Sequence, residues 1–239
     1  MFSPYYAWAR RRHGDAGAPA EAHCALNLSL YRRPPGHTRF ERLWAMTERS
    51  AAQLHRGADH LQIGHSRLAW SASGALHIDV DEWTAPWPRR LLGHVRLQPQ
   101  QLPGRVFALD AAGRHCWQPI APRARVELGF EAPHLRWAGD AYLDANHGMR
   151  PLARDFDSWQ WSRSALPATA WGLARGCRAV QPPELLATLE SGPFYSRSLL
   201  RDAADGSVSV HESLSLRRFA QPWVQAMLPF RMPRWTRSA

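Results

Sequence analysis

Lysine is absent from this 239-residue sequence, and all 30 of its basic residues are arginines. Cysteine is scarce: Cys24, Cys116 and Cys177 are widely spaced and odd in number. That argues against a disulfide framework or a cysteine-rich zinc site, and it fits a reducing compartment. No apolar run approaches the roughly 20 residues of a membrane-spanning helix, and no signal peptide is visible. These absences predict a protein on the cytoplasmic side, either soluble or peripheral to a membrane.

What the sequence does contain is positive charge and tryptophan, with a formal net charge of +10 and 12 Trp. Excess positive charge is typical of nucleic-acid-binding proteins. The arginines are scattered, however, and neither a zinc-finger spacing nor an aromatic RNA-binding signature is present, so no nucleic-acid partner is predicted. Arginine and tryptophan together suit an anionic membrane surface equally well, and a solvated basic surface is the plain alternative.

Short alternating segments recur at about ten-residue spacing through the first 150 residues, which favours an all-β sandwich or barrel. The predicted strands are Ala22–Tyr31, Phe40–Glu48, Leu61–Ile63, Arg67–Trp70, Ala75–Val80, Leu91–Leu97, Val106–Leu109, Gly113–Pro119, Arg125–Phe130, Leu135–Asp144, Phe156–Arg163 and Ser207–Leu216. Pro183–Leu189 is predicted to be a short helix. Gln221–Leu228 is predicted to be a closing helix that Pro229 and Pro233 would end.

Two of these strands carry side chains that can give, take or steer a proton. Tyr142, Asp144 and Asn146 share one face of a strand, and His115 and Trp117 share one face of another. If the faces meet, a carboxyl, a phenol, an imidazole and an indole come together. A carboxyl in a desolvated pocket can act as an acid, and aromatic ring faces attract cations.

Two plainer interpretations of these residues stay open. A buried Asp can simply be hydrogen-bonded to Tyr beside a satisfied His. A zinc ion on His115, Asp144 and His147 is a weaker alternative, and no metal site is predicted.

The same residues carry a family resemblance. Tyr142–Gly148, with His115–Trp117 upstream, resembles the carotenoid 1,2-hydratases (hydroxyneurosporene synthases) of purple bacteria. Further matching stretches are Phe2–Arg10, His23–Asn27, Trp44–Arg49, Trp159–Arg163 and Phe219–Arg234. Relative to the family, the chain looks shortened at its N-terminus and between the Trp159–Arg163 motif and the stretch Leu166–Arg175.

The resemblance implies a fold of two lipocalin-like β-barrel or sandwich halves with a short C-terminal helix. The expected halves are residues 1–150, which carry most of the candidate site, and residues 151–239, which look incomplete.

The resemblance also implies an activity: cofactor-free hydration of the C1=C2 double bond of an acyclic carotenoid such as neurosporene or lycopene. Asp144 is then the expected acid, His115 and Tyr142 orient it or the attacking water, and Trp117 shelters the carbocation. Weaker candidates for contacting the substrate are Asn27, Glu48, Asn146, His147, Trp159 and Trp161.

The expected partners are an acyclic carotenoid, water and a membrane surface, with the protein lying peripherally on the inner photosynthetic membrane. Two alternatives stay open: a lipocalin-like binding protein that holds a carotenoid or isoprenoid without turnover, and a cyclase acting on another terpenoid.

Overall fold

The computed structural model describes residues 3–14, 17–164, 184–201, 206–232 and 234–235. The protein is mostly β-structure with few helices, which confirms the predicted fold class. It divides into two compact units. Unit 1 comprises Met1–Pro34, Glu41–Pro151 and Ala226–Ala239, and unit 2 comprises Pro35–Phe40 and Leu152–Gln225. The lipocalin likeness of the two expected halves, residues 1–150 and 151–239, stays a prediction.

The described elements are mainly strands, with three α-helices. The helices are α1 (Pro4–His13), α2 (Leu216–Phe219) and α3 (Pro222–Arg231). The strands of unit 1 are β1 (Cys24–Arg32), β2 (Glu41–Arg49), β3 (Leu54–Arg56), β4 (His60–Ile63), β5 (Ser66–Trp70), β6 (Leu76–Trp83), β7 (Arg90–Pro99), β8 (Phe107–Ala108), β9 (His115–Ala132), β10 (Leu135–Gly148) and β15 (Arg234–Trp235). The strands of unit 2 are β11 (Ser158–Ser164), β12 (Glu184–Ser191), β13 (Tyr195–Arg201) and β14 (Val208–Ser215).

Unit 1 is a sandwich-like packing of two sheets. The larger sheet runs in the order β10-β9-β7-β6-β5-β4-β3, with β8 added beside β9, and the smaller sheet runs β1-β2-β15. Leu43 and Ala45 of β2 pack against Val80, Leu91 and Phe130 of the larger sheet, and all five are buried. Leu43 and Ala45 are two residues apart on β2, so their side chains share this inward face, and the intervening Trp44 is less buried.

A second buried cluster fixes which way β10 faces. Leu76, Leu97 and Ala121 form its centre, and Ala141 and Leu143 of β10 pack against it. Because strand side chains alternate, the even-numbered residues of β10 point to the opposite face of the sheet. That opposite face carries the candidate site.

The prediction of two separate strands at Gly113–Pro119 and Arg125–Phe130 is wrong, because β9 is one continuous strand of 18 residues. Two register shifts between β9 and β10 lie at Ala141/Leu143 and Leu143/Asp144. The residues of β9 opposite them include Pro119 and Pro122. Proline cannot donate to the ladder and is tolerated at such irregular positions, so the prolines shift the register without ending the strand.

Unit 2 contains one four-stranded antiparallel sheet in the order β11-β14-β13-β12. The prediction of a helix at Pro183–Leu189 is wrong, because Glu184–Ser191 is a strand paired with β13, which was not predicted. The leucines and alanine of this segment favour a helix locally, but pairing with a neighbouring strand overrides such weak propensities. The expected missing strands before Leu166–Arg175 concern a stretch outside the described residues.

The closing helix extends further than predicted, since α3 contains Pro229 and ends at Arg231. Val224 and Leu228 are 2% and 7% exposed. Burial of these side chains holds the last turn although Pro229 lacks a donor. In the described part of the chain no helix is both long and apolar enough to cross a membrane.

Candidate functional site

The candidate site is built around the carboxyl of Asp144. Trp117 lies directly across from Asn146 in the β9–β10 pair, one alternation beyond Asp144. From there its indole Nε1 donates a hydrogen bond of 2.7 Å to Oδ2 of Asp144. Tyr142, on the same face of β10, donates its hydroxyl to the same oxygen at 3.1 Å. Asp144 is half-buried, so it is sheltered but can still be reached from outside.

His115 lies on the same face, one alternation before Trp117, and it is 2% exposed. Its cross-strand partner is Gly148. A Cβ added to Gly148 would lie 2.5 Å from Nδ1 of the imidazole and 3.1 Å from Cε1. Only glycine at position 148 leaves room for the His115 imidazole, which explains why the Tyr142–Gly148 segment ends in glycine.

Sequence reasoning did not single out Phe107 as part of this site. Phe107 pairs with Trp117 across β8 and β9, and the two ring centroids are 5.4 Å apart with the planes tilted by 33°. Phe107 is 43% exposed, so it forms the outer side of the aromatic pair. The available signal was the turn Asp110–Gly113, which makes a hairpin in which Phe107 falls opposite Trp117.

That hairpin is closed by Asp110. Its carboxylate accepts backbone hydrogen bonds from Ala112 at 2.9 Å, Arg114 at 3.3 Å and His115 at 2.9 Å. Desolvation by burial acts to raise the pKa of Asp110, but the backbone donors of Arg114, His115 and Ala112 and the Arg114 charge outweigh it, and the net shift is downward. Asp110 thereby fixes the start of β9, and with it the positions of His115 and Trp117.

A second polar cluster in unit 1 surrounds the carboxyl of Glu48. Glu48 is 0% exposed. One of its oxygens accepts a hydrogen bond from the Ser3 hydroxyl, and the other lies 2.8 Å from Nδ1 of His23 and 2.7 Å from Nη1 of Arg234. Arg234 also donates to the carbonyl oxygen of Ala22 at 3.1 Å. The structure therefore places Glu48 in a structural ion-pair cluster, away from Asp144 on the larger sheet.

The neighbouring residue on β2 enters another buried pair. Arg49 donates to Glu82 at 3.0 Å, and Ser66 donates to the other oxygen of Glu82 at 2.9 Å. Burial raises the pKa of Glu82, while the Arg49 charge and the Ser66 hydrogen bond oppose the shift. Gly64, with φ of +63°, leaves room for the Arg49 side chain. This pair ties the two sheets of unit 1 together.

The remaining predicted residues lie in different places. His147 is paired with Cys116, so it points to the opposite face from Asp144, and the structure does not bring the suggested zinc ligands together. Among the described residues no group of three or more His, Cys, Asp or Glu side chains could hold a metal ion. Asn27, in the β1–β2 pair of unit 1, accepts a hydrogen bond of 2.6 Å from the indole of Trp44.

Trp159 and Trp161 belong to unit 2. Both are half-buried and share one face of β11, as the alternation of the Trp159–Arg163 motif predicts. They pair with Leu214 and Glu212 of β14 respectively.

Comparison with known proteins places the chain in a family. The family model of the carotenoid hydratase CrtC matches residues 1–170 and 164–239, which together span all 239 residues. The chain belongs to the carotenoid hydratase family. Similar curated proteins are the acyclic carotenoid 1,2-hydratases of Thiocapsa roseopersicina, 42% identical, and of Rubrivivax gelatinosus, 38% identical; in both comparisons the match covers 98% of this chain and 67% of the relative. The acyclic carotenoid 1,2-hydratase of Rhodobacter capsulatus is 33% identical over 98% of this chain and 95% of the relative. No solved structure shows a significant match.

The alignments also show that this member of the carotenoid hydratase family is shorter than the aligned regions of its relatives. They run over 281 positions, whereas the chain has 239 residues, so the relatives carry residues that have no counterpart here. The two matched segments overlap at residues 164–170. That junction agrees with the predicted shortening after the Trp159–Arg163 motif.

Several stretches that carry the resemblance to carotenoid hydratases meet in space. Phe2–Arg10, His23–Asn27, Trp44–Arg49 and the tail that ends at Arg234 each contribute one side chain to the cluster around Glu48. A shared structural cluster thus explains motifs that lie far apart in the sequence and do not reach Asp144.

Proposed function

We propose that this chain hydrates the C1=C2 double bond of acyclic carotenoids such as neurosporene and lycopene to give 1-hydroxy carotenoids. The observation that carries the proposal is the double hydrogen bond from Trp117 and Tyr142 to one oxygen of Asp144. Membership of the carotenoid hydratase family and the names of the relatives support it.

The first step is protonation of the alkene by Asp144. Because Oδ2 already accepts two hydrogen bonds, the acid proton belongs on Oδ1. The Oδ1–H bond breaks, a C–H bond forms at C2, and the electron pair of the double bond leaves a tertiary cation at C1. Trp117 and Tyr142 keep their hydrogen bonds and stabilise the carboxylate that remains. An alkene is a poor base, so this stabilisation of the conjugate base matters.

The second step is capture of the cation by water. The face of the Trp117 ring, extended by Phe107 at 5.4 Å, offers aromatic density to the positive charge. A water oxygen forms the new C1–O bond, and the proton it loses returns to the Asp144 carboxylate. Tyr142 contacts Asp144 directly, whereas His115 lies on the same face opposite Gly148; we assign both to orienting the carboxyl or the water. The sum is addition of one water across the double bond, and no cofactor enters the balance.

We assign the weaker candidates for substrate contact according to where each residue lies in the structure. Asn146 is exposed on the face that carries Asp144, next to Trp117, and we assign it to the entry of the carotenoid end group. Asn27, Trp159 and Trp161 stay candidates for contact with the polyene chain. Glu48 lies in the buried ion-pair cluster, and His147 lies on the face of β10 opposite Asp144. We therefore propose no contact between these two residues and the double bond.

The substrate dissolves in lipid, so the proposed partners are the carotenoid, water and a membrane surface. We place the protein on the cytoplasmic side of the inner photosynthetic membrane, associated peripherally. The abundance of arginine and tryptophan in the sequence supports this placement.

The test is expression of the chain in a lycopene-producing bacterium, followed by extraction of the pigments. We expect 1-hydroxylycopene from the parent and about 100-fold less or none from Asp144→Asn, since a general acid contributes at least about 100-fold. Asp140→Asn, at a 70% exposed position on the same strand, is the matched control and should keep the activity.

The same experiment separates the alternative of a carotenoid-binding protein without turnover. That alternative is motivated by the residues of the relatives that have no counterpart here. Soluble parent protein that co-purifies with unchanged lycopene, and yields no hydroxylated product, would replace the hydratase proposal by the binding one.

A further inference from the structure

Helix α3 is apolar on two sides, but only one side is buried. Val224 and Leu228 face inward at 2% and 7% exposure. Trp223, Met227 and Phe230 are 53%, 59% and 68% exposed. These three residues have i, i+4, i+7 spacing, so they form one continuous stripe, which we call the outer face of α3.

The outer face lies in the most one-sidedly charged part of the chain. No acidic residue follows Glu212, whereas five arginines do. Among them Arg217 and Arg218 of α2 and Arg231 in the last turn of α3 are exposed. A helix that combines an exposed apolar stripe with flanking arginines is the pattern of interfacial helices, which lie in the plane of a bilayer surface.

We propose that the outer face of α3 docks this protein on an anionic lipid surface, with Trp223, Met227 and Phe230 inserted among the headgroups and Arg231 of the same helix on the lipid phosphates. The inference extends the membrane partner of the proposed function to a defined surface. Docking itself requires no turnover, so it can hold or fail independently of catalysis.

Area argues against a second copy of the chain as the occupant. A stable protein interface buries about 800 Å² on each partner. A fully covered aromatic side chain contributes about 150–250 Å², and the three side chains of the outer face are already partly covered. Their number falls short of a dimer interface but suffices for an interfacial helix, and the positive flanks would repel an identical surface.

The experiment is flotation of the purified chain with vesicles of phosphatidylcholine alone and of phosphatidylcholine with 30% phosphatidylglycerol. We expect the parent to float with the anionic vesicles and Met227→Ser/Phe230→Ser to bind at least about tenfold more weakly, because two inserted apolar side chains are lost. Leu185→Ser, at a 59% exposed leucine of β12, is the matched control and should bind like the parent.

Arg231→Gln provides an independent test, because its side chain is exposed and its replacement leaves the apolar stripe intact. It should weaken binding to anionic vesicles, and added salt should weaken the parent in the same way. Equal flotation of the parent and both α3 variants would overturn the proposal, as would dimerisation in solution that the double variant abolishes. Hydration of detergent-dispersed lycopene by the double variant, at the parent's rate, would separate docking from catalysis.

Discussion

At the scale of single residues, the candidate site depends on two donors that share one acceptor. Trp117 and Tyr142 approach Oδ2 of Asp144 from different strand positions, at 2.7 and 3.1 Å. The indole N–H holds the carboxyl, and in the proposed mechanism the indole ring has a second, separable role, which is to shelter the carbocation. A substitution that keeps an aromatic ring but removes the N–H isolates the first role.

We therefore predict that Trp117→Phe lowers kcat for hydration of detergent-dispersed lycopene by about 10- to 100-fold, because a hydrogen bond to a charged group is worth about 1.5–3 kcal/mol. The measurement is the rate of formation of the 1-hydroxy product. Trp137→Phe, at a 52% exposed tryptophan of the same unit, is the control and should leave the rate unchanged. A Trp117→Phe enzyme as fast as the parent would remove the indole N–H from the mechanism.

At the scale of elements, the β8–β9 hairpin determines the positions of Phe107, His115 and Trp117. Phe107 and Trp117 face each other because β8 pairs with the start of β9. The turn between them depends on Asp110, which accepts backbone hydrogen bonds from Ala112, Arg114 and His115. Anything that loosens this turn displaces the aromatic pair and His115 together.

We expect Asp110→Asn to lower the midpoint of thermal unfolding at pH 7, because the amide keeps one acceptor but turns a donor toward the N–H groups. The folded-state pKa of Asp110 is depressed below 3.8. Its contribution to stability is therefore present above that value and is lost as the pH falls through the folded-state pKa. The difference between parent and variant should shrink as unfolding is measured from pH 7 down to pH 3. A constant difference would show that the carboxylate charge plays no part, and Asp140→Asn reports the effect of an exposed carboxylate.

Some secondary-structure elements could be predicted from the sequence and others could not. The alternation of Cys24, Leu26, Leu28 and Leu30 located β1 within two residues at its start. The predicted strands Phe40–Glu48 and Leu135–Asp144 correspond to β2 and β10, and the period of a strand placed Tyr142 and Asp144 on one face. The predicted strands Gly113–Pro119 and Arg125–Phe130 are parts of one strand, and Pro119 and Pro122 lie inside it because proline is accepted at a register shift. The helix-forming composition of Glu184–Ser191 concealed a strand whose pairing partner is not encoded locally.

The whole molecule is joined by contacts between residues far apart in sequence. Glu48 and Arg234 are 186 positions apart, and no local pattern in either segment predicts that their side chains form an ion pair. Only the resemblance to a family indicated that both segments matter. The structure supplies the reason, which is a buried carboxylate with three partners, namely Ser3, His23 and Arg234.

We predict that Arg234→Ala lowers the free energy of unfolding by about 2–3 kcal/mol, somewhat less than the 3–5 kcal/mol of a fully buried pair, because the variant leaves Glu48 buried with less compensation. Arg234 is 23% exposed, which is the reason for the lower figure. Urea denaturation at pH 7 provides the measurement. Arg125→Ala, which removes an exposed pair with Asp140, should cost well under about 1 kcal/mol. Equal effects of the two variants would contradict a special role for Arg234.

The separation of Glu48 and Arg234 in the sequence also determines when unit 1 can finish folding during translation. Glu48 and its strand β2 leave the ribosome long before Arg234 and β15. Arg234 is 186 positions after Glu48, and at about 5–20 residues per second their synthesis takes about 10–40 seconds. Throughout that interval one edge of β2 lacks its parallel neighbour and the buried carboxylate lacks its guanidinium. The sandwich of unit 1 is therefore completed only after Arg234 and Trp235 have been translated, and a ribosome that stops before them releases a chain in which β2 lacks this neighbouring strand.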